Sequence, residues 1–188
     1  SFDILYTFCF PIIIFFVAFA PQVISIIAGR GYEGSILPMR IVMPLMVIIG
    51  TEEILIIQLL MPMNKDKAIF INSVIGAIVG ICFAIILVKN YQSVGSSIVW
   101  VFSELSILIS ASYFVKKYIG ITIPYKMVLL KFLYSIPYIA ICYVVQVVFN
   151  SSFVILVVGG IASLFYFILD DIYFSRNNFI KGTLLNRL

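Results

Sequence analysis

The amino-acid sequence predicts an all-α, polytopic transmembrane helical bundle of about six spans, folded as a single transmembrane domain. Three observations carry that reading. Of 188 residues, 63% are hydrophobic and 11% charged, with a mean hydropathy of +1.20, where a soluble domain would be roughly 45–50% apolar. Apolar runs of spanning length recur; at about 1.5 Å per residue each can cover a hydrocarbon core of about 30 Å. The links between them are short, which makes successive helices antiparallel neighbours.

The runs fall at about 4–28, 36–61, 68–88, 96–115, 127–149 and 153–169. The first contains Pro11 and Pro21 and ends in the turn Gly29-Arg30-Gly31-Tyr32-Glu33-Gly34. Prolines are tolerated inside spans when neighbours satisfy the carbonyls they free. The second, Ile36 to Met61, is the one the rest of the chain is organised around, because it holds Arg40, Glu52 and Glu53 within membrane depth. An acid there costs at least about 2.5 kcal/mol and normally faces a bundle interior or a water-filled cavity. At 100° per residue Arg40, Pro44, Thr51 and Gln58 share one stripe, while Glu52 and Glu53 point elsewhere and about 100° apart. Polarity on more than one face argues against a lipid-edge helix. Pro44 predicts a kink above the acids, Gly50 permits local bending, and Thr51 can satisfy a carbonyl released there.

The third run sets Asn72, Gly76, Gly80 and Ala84 at four-residue spacing, a small-residue ridge that lets another helix approach closely. Packing accounts for the ridge, and Asn72 is kept as a pathway candidate on intramembrane polarity alone. The fourth run places Ser103, Ser106 and Ser110 on one face and Ser97, Trp100, Glu104 and Ala111 on another. Glu104 sits mid-span with no basic residue within several turns, so it needs a partner from another helix or a proton. After the basic stretch from Lys116 to Lys126, Lys131 opens the fifth run, from where it can snorkel to the interface. Pro137 predicts a kink in that helix. The sequence closes on Asp170-Asp171 and a tail with Arg176, Lys181 and Arg187.

Charge placement sets orientation. Lys65, Lys67, Lys116, Lys117, Lys126, Lys131, Arg176, Lys181 and Arg187 share one side, against Arg30, Arg40 and Lys89 on the other. By the positive-inside rule the richer side is cytoplasmic, as are both ends of the sequence. The basic balance reflects this flanking and does not imply nucleic acid. Cys9, Cys82 and Cys142 lie in apolar runs with no pairing pattern, and no His is present. Without His, CxxC, HExxH or a phosphate-cradling glycine loop, no catalytic residue, metal site or cofactor is expected, and an enzyme is disfavoured. No signal peptide is visible, and the opening on Ser1 suggests a piece of a longer chain.

Gly29-x-x-Tyr32, Gln58-x-x-Met61-Pro62-x-Asn64-Lys65-x-Lys67, Asn72-Ser73-x-x-Gly76-Ala77, then Gly95 followed by Glu104 and Lys116-Lys117 succeed one another in a definite order and spacing. In that order and spacing the sequence from about Phe10 to Lys117 resembles the C-terminal part of bacterial Wzx-type polysaccharide flippases, members of the multidrug/oligosaccharidyl-lipid/polysaccharide exporter superfamily. It departs before Gly95, where the family carries a proline and this chain has Tyr91-Gln92-Ser93-Val94, and the last two spans carry no matching motif. The resemblance implies the second bundle of a MATE-like exporter fold in a bacterial cytoplasmic (inner) membrane, with the other bundle upstream. The implied activity is flipping of undecaprenyl-pyrophosphate-linked oligosaccharide repeat units, for O-antigen, lipopolysaccharide or capsule. Membrane lipids, a polysaccharide polymerase and a chain-length regulator are the further partners implied. In that setting Arg30 and Arg40 would meet an anionic lipid-linked sugar at the outer mouth, and Glu52, Glu53 or Glu104 would couple to protons or cations or pair with basic residues elsewhere in the cavity. The alternatives are a cation-coupled drug or ion antiporter of the same superfamily and a non-transporting structural membrane subunit.

Overall fold

The computed structural model describes the backbone of residues 2–29, 31–149 and 151–173, and their side chains as far as residue 166 together with Ile168. Arg30, Arg176, Lys181, Arg187 and the side chains of Asp170 and Asp171 lie outside the described residues. The chain is helical, with no strand among the described residues. Three helical runs, Glu33–Met63, Asp66–Ile119 and Tyr125–Val148, are long and apolar enough to cross a membrane, and a bent pair at the N-terminal end makes a fourth. Large apolar side chains stand open along them, among them Ile27 at 80%, Ile85 at 73% and Ile109 at 70% exposure. That continuous apolar surface suits lipid rather than water, and marks the protein as membrane-embedded.

The helices sort into two compact units. The first joins the segment up to Ile36 with the chain from Tyr125 onward. It contains α1 (Phe2–Ala18), α2 (Ala20–Ile27), α6 (Tyr125–Val148) and α7 (Ser152–Tyr173), with α1 packed on both α6 and α7 and α2 on α7. The first apolar run is therefore broken, and α1 and α2 meet at 71°. Pro21 explains the break, because it has no N–H for the carbonyl one turn back and its ring crowds that turn. At the bend the Ala18 carbonyl is also without its Gln22 N–H, and Gln146 of α6 donates to it through Nε2 at 2.7 Å, the kind of helix-to-helix bond a membrane demands. Phe19, at the bend itself, is fully buried and packs on Gly159, where an added Cβ would meet its ring. Tyr138 donates to the Gly159 carbonyl oxygen at 3.2 Å and stacks on Tyr166 with ring centres 5.3 Å apart. Lys131 does not snorkel. It is buried beside Asp3 of α1, Nζ to Oδ1 3.6 Å, because the two helices meet at that level and the carboxylate supplies what water would have.

The second unit runs from Leu37 to Pro124 and comprises α3 (Ile36–Val42, entering at its second residue), α4 (Leu45–Glu53), a π-helical stretch Ile54–Leu60, a 3-10 turn Met61–Met63 and α5 (Asp66–Ile119). Although α5 is 54 residues long, it is not one rod. Gln92 takes φ 47° and ψ −119°, and the chain reverses there into two limbs. Each limb, about 26 residues or about 39 Å, is of spanning length. The reversal is tight at Gly95, where a Cβ would strike the Leu87 backbone. Below it the limbs zip together: Phe83 stacks on Phe102 at 4.8 Å, Ser103 Oγ donates to the Gly76 carbonyl oxygen at 2.9 Å, and Ser110 donates to the Asn72 side-chain oxygen. A Cβ at Gly76 would collide with Ile107. The small-residue ridge and the serine face thus meet each other, as close packing in lipid favours.

Candidate functional site

The sequence-predicted acids come together within the second unit. Glu52, near the end of α4, lies close to Glu104 of the second α5 limb, near enough for the two carboxyls to interact. Trp100, one turn before Glu104, donates from Nε1 to Glu104 Oε1 at 3.1 Å. Glu52 Oε2 is buried with no hydrogen-bond partner among the described residues. Glu53 is exposed, as a rotation of about 100° from Glu52 requires, yet still close enough to act on Glu52 through its charge. The three acids are therefore unequal: two meet across a helix contact and one faces outward.

Local backbone chemistry places them. Pro44 separates α3 from α4, so the predicted kink is present and Arg40 sits exposed in the last turn of α3, beyond the break. The distortion expected at Gly50 falls later. Thr51 Oγ1 donates to the Val47 carbonyl oxygen at 2.6 Å, and the helix widens immediately after Glu53, Met61 N–H reaching back five residues to the Ile56 carbonyl oxygen. Such π segments are uncommon and frequent near functional positions. This widening also undoes the stripe: Thr51 is buried whereas Arg40 and Gln58 are exposed, because Pro44 and the π turn each reset the phase that a continuous helix would hold.

Two carboxylates offer only acceptors, so the two groups can bond each other directly only when one of them carries a proton. The arrangement is thus a pair able to hold one proton between two helices, oriented by the Trp100 indole. Loss of that proton would set two like charges face to face in a medium of low dielectric, a repulsion worth several kcal/mol even at an effective constant near 20. A monovalent cation between the carboxyls would relieve it equally well.

Asn72 is fully buried and belongs to the limb packing through Ser110; its Nδ2 has no partner among the described residues. Arg30 lies outside them. Trp100 is the residue that sequence reasoning missed as a partner of Glu104. The signal was there, an indole donor four residues from a mid-span acid on the same face. No family model matches the chain, and no curated protein or solved structure is found similar to it. The site consequently stands on its own geometry.

Proposed function

We propose that this chain forms the C-terminal part of a membrane transporter that flips undecaprenyl-pyrophosphate-linked oligosaccharide repeat units across a bacterial inner membrane by alternating access. The observation that carries the reading is the Glu52–Glu104 pair between two helices of an apolar bundle, an expensive arrangement in lipid for packing alone. Gain and loss of one proton or cation there would alternately hold α4 to α5 and push them apart, which supplies a coupling step. The motif order from Phe10 to Lys117 adds the substrate class, and the six sequence-derived crossings, with cytoplasmic ends, complete the reading.

The test uses the full-length protein in a strain whose own repeat-unit flippase is deleted. Glu52→Gln and Glu104→Gln are expected to abolish surface glycan, with lipid-linked repeat units accumulating inside, while the protein remains in the membrane at normal level. Normal export by both variants would refute the assignment. A structural clasp is the second reading, favoured by the Trp100 bond that also fastens Glu104. It predicts instead that Glu104→Leu lowers protein level and Glu104→Gln, which keeps a bonding group, leaves both level and export intact.

A further inference from the structure

At one end of the second unit two lysines converge on a single aromatic ring. Lys65 Nζ lies 4.9 Å from the centre of the Tyr118 ring. Lys117 Nζ lies 5.7 Å from the same ring and 6.0 Å from that of Tyr113. Lys67 and Lys116, both exposed, flank them, and Asp66 is the only acid in the two stretches 61–68 and 113–124. Neither Lys65 nor Lys117 has an ion pair among the described residues. Two ammonium groups on one ring repel each other, and ring contacts at exposed positions return only a fraction of a kcal/mol to about 1 kcal/mol each.

The backbone brings both lysines to helix ends. Asn64 adopts the left-handed conformation at φ 53°, ψ 41°, and Lys65 N–H closes back on the Leu60 carbonyl oxygen at 3.3 Å. On the other side of the cluster, Gly120 at φ 80° ends α5, its N–H bonding the Val115 and Lys116 carbonyl oxygens at 3.2 and 3.1 Å. The surroundings are apolar and open: Met61 is 50% exposed, Met63 44% and Tyr113 60%. The cluster therefore stands where apolar helix gives way to polar turn, at the depth of lipid headgroups.

We propose that Lys65, Lys117 and Tyr118 form a binding site for the phosphate of a net-anionic phospholipid headgroup. A phosphodiester set between the two ammoniums satisfies both and removes their mutual repulsion, while the acyl chains run along the exposed apolar face of the helices. A zwitterionic headgroup brings its own cation and cancels that gain, so phosphatidylglycerol or cardiolipin is selected over phosphatidylcholine. The inference does not rest on the transport reading.

The full-length protein, placed in nanodiscs of phosphatidylcholine with or without phosphatidylglycerol, gives the test through lipids retained on extraction, counted by native mass spectrometry. The expected result is preferential retention of phosphatidylglycerol, reduced roughly fivefold by Lys65→Gln or Lys117→Gln and further by both together. Lys65→Arg and Lys117→Arg should keep the preference, and Lys89→Gln, near the opposite end of the first limb, should leave it unchanged. An undiminished preference in the double Gln variant overturns the site, as does an equal loss from Lys89→Gln. If inorganic phosphate added to phosphatidylcholine discs binds with the same lysine dependence and phosphatidylglycerol is not retained, the ligand is free phosphate and the lipid assignment fails. Should the double Gln variant not accumulate, photo-crosslinking of wild-type protein with a headgroup-labelled phosphatidylglycerol decides: adducts must map to 61–67 or 113–120.

Discussion

Replacing Gln146 by Leu removes the side-chain donor that meets the Ala18 carbonyl among the described residues, while keeping a side chain of similar bulk. In an unbroken helix that carbonyl would accept from the Gln22 N–H; the bend at Pro21 leaves it open, and Gln146 closes it at 2.7 Å. A buried unpaired carbonyl costs about 1–3 kcal/mol, and side-chain bonds measured within membranes average about 0.6 with a maximum of about 1.7 kcal/mol. Gln146→Leu should therefore lose about 1–2 kcal/mol, a factor of roughly 5–30 in the folded-to-unfolded ratio. Gln146→Glu should lose more whenever the carboxylate is charged, because it sets an acceptor against an acceptor. Reversible unfolding in bicelles, followed by steric trapping, reads the difference. A second arm isolates the mechanism: Pro21→Ala relieves the clash that bends the chain and lets the Gln22 N–H return to the Ala18 carbonyl, so Gln146→Leu should cost less in that background. An unchanged stability for Gln146→Leu, or an identical loss with and without Pro21, would refute the reasoning.

Two further outcomes are expected. Lys131→Met takes its ion-pair partner from the buried Asp3 carboxylate and should destabilise the first unit by about 3–5 kcal/mol in the same unfolding assay, whereas Lys131→Met combined with Asp3→Leu should recover most of that loss. In a background lacking Cys9, Cys82 and Cys142, a membrane-impermeant thiol reagent applied from outside should modify a cysteine at Ser93 and spare one at Asp66; the reverse pattern would invert the proposed orientation.

The helical, membrane-embedded character was legible because length and apolarity are properties of the chain alone. So was the packing of the third run, since Gly76 and Gly80 at four-residue spacing announce a close approach whoever the neighbour is. The Pro44 kink was legible for the same reason: proline acts on its own backbone. What the residues could not disclose was which partner each would meet. Glu52 and Glu104 belong to different helices, and their meeting depends on how α4 lies on α5. Lys131 read as a snorkelling cation because Asp3, far away in sequence, is brought to it only by the pairing of α1 with α6. The π turn after Glu53 carries no glycine or proline within it to mark it, and it displaced the phase on which the polar stripe was drawn.

The Gln146–Ala18 bond spans 128 positions in sequence, and this distance has a meaning for biosynthesis. The limbs of α5 find each other through a local reversal and can close as soon as Ile119 has been made. The bend between α1 and α2 cannot be finished in that way: its open carbonyl must wait while the whole second unit is synthesised before α6 brings the amide that seals it. Contacts of such separation are the slow ones, and chains with surfaces left waiting are those most exposed to mispairing. The bend between α1 and α2 is thus made well before the amide that completes it, and it reaches its final form only after the second unit has been synthesised.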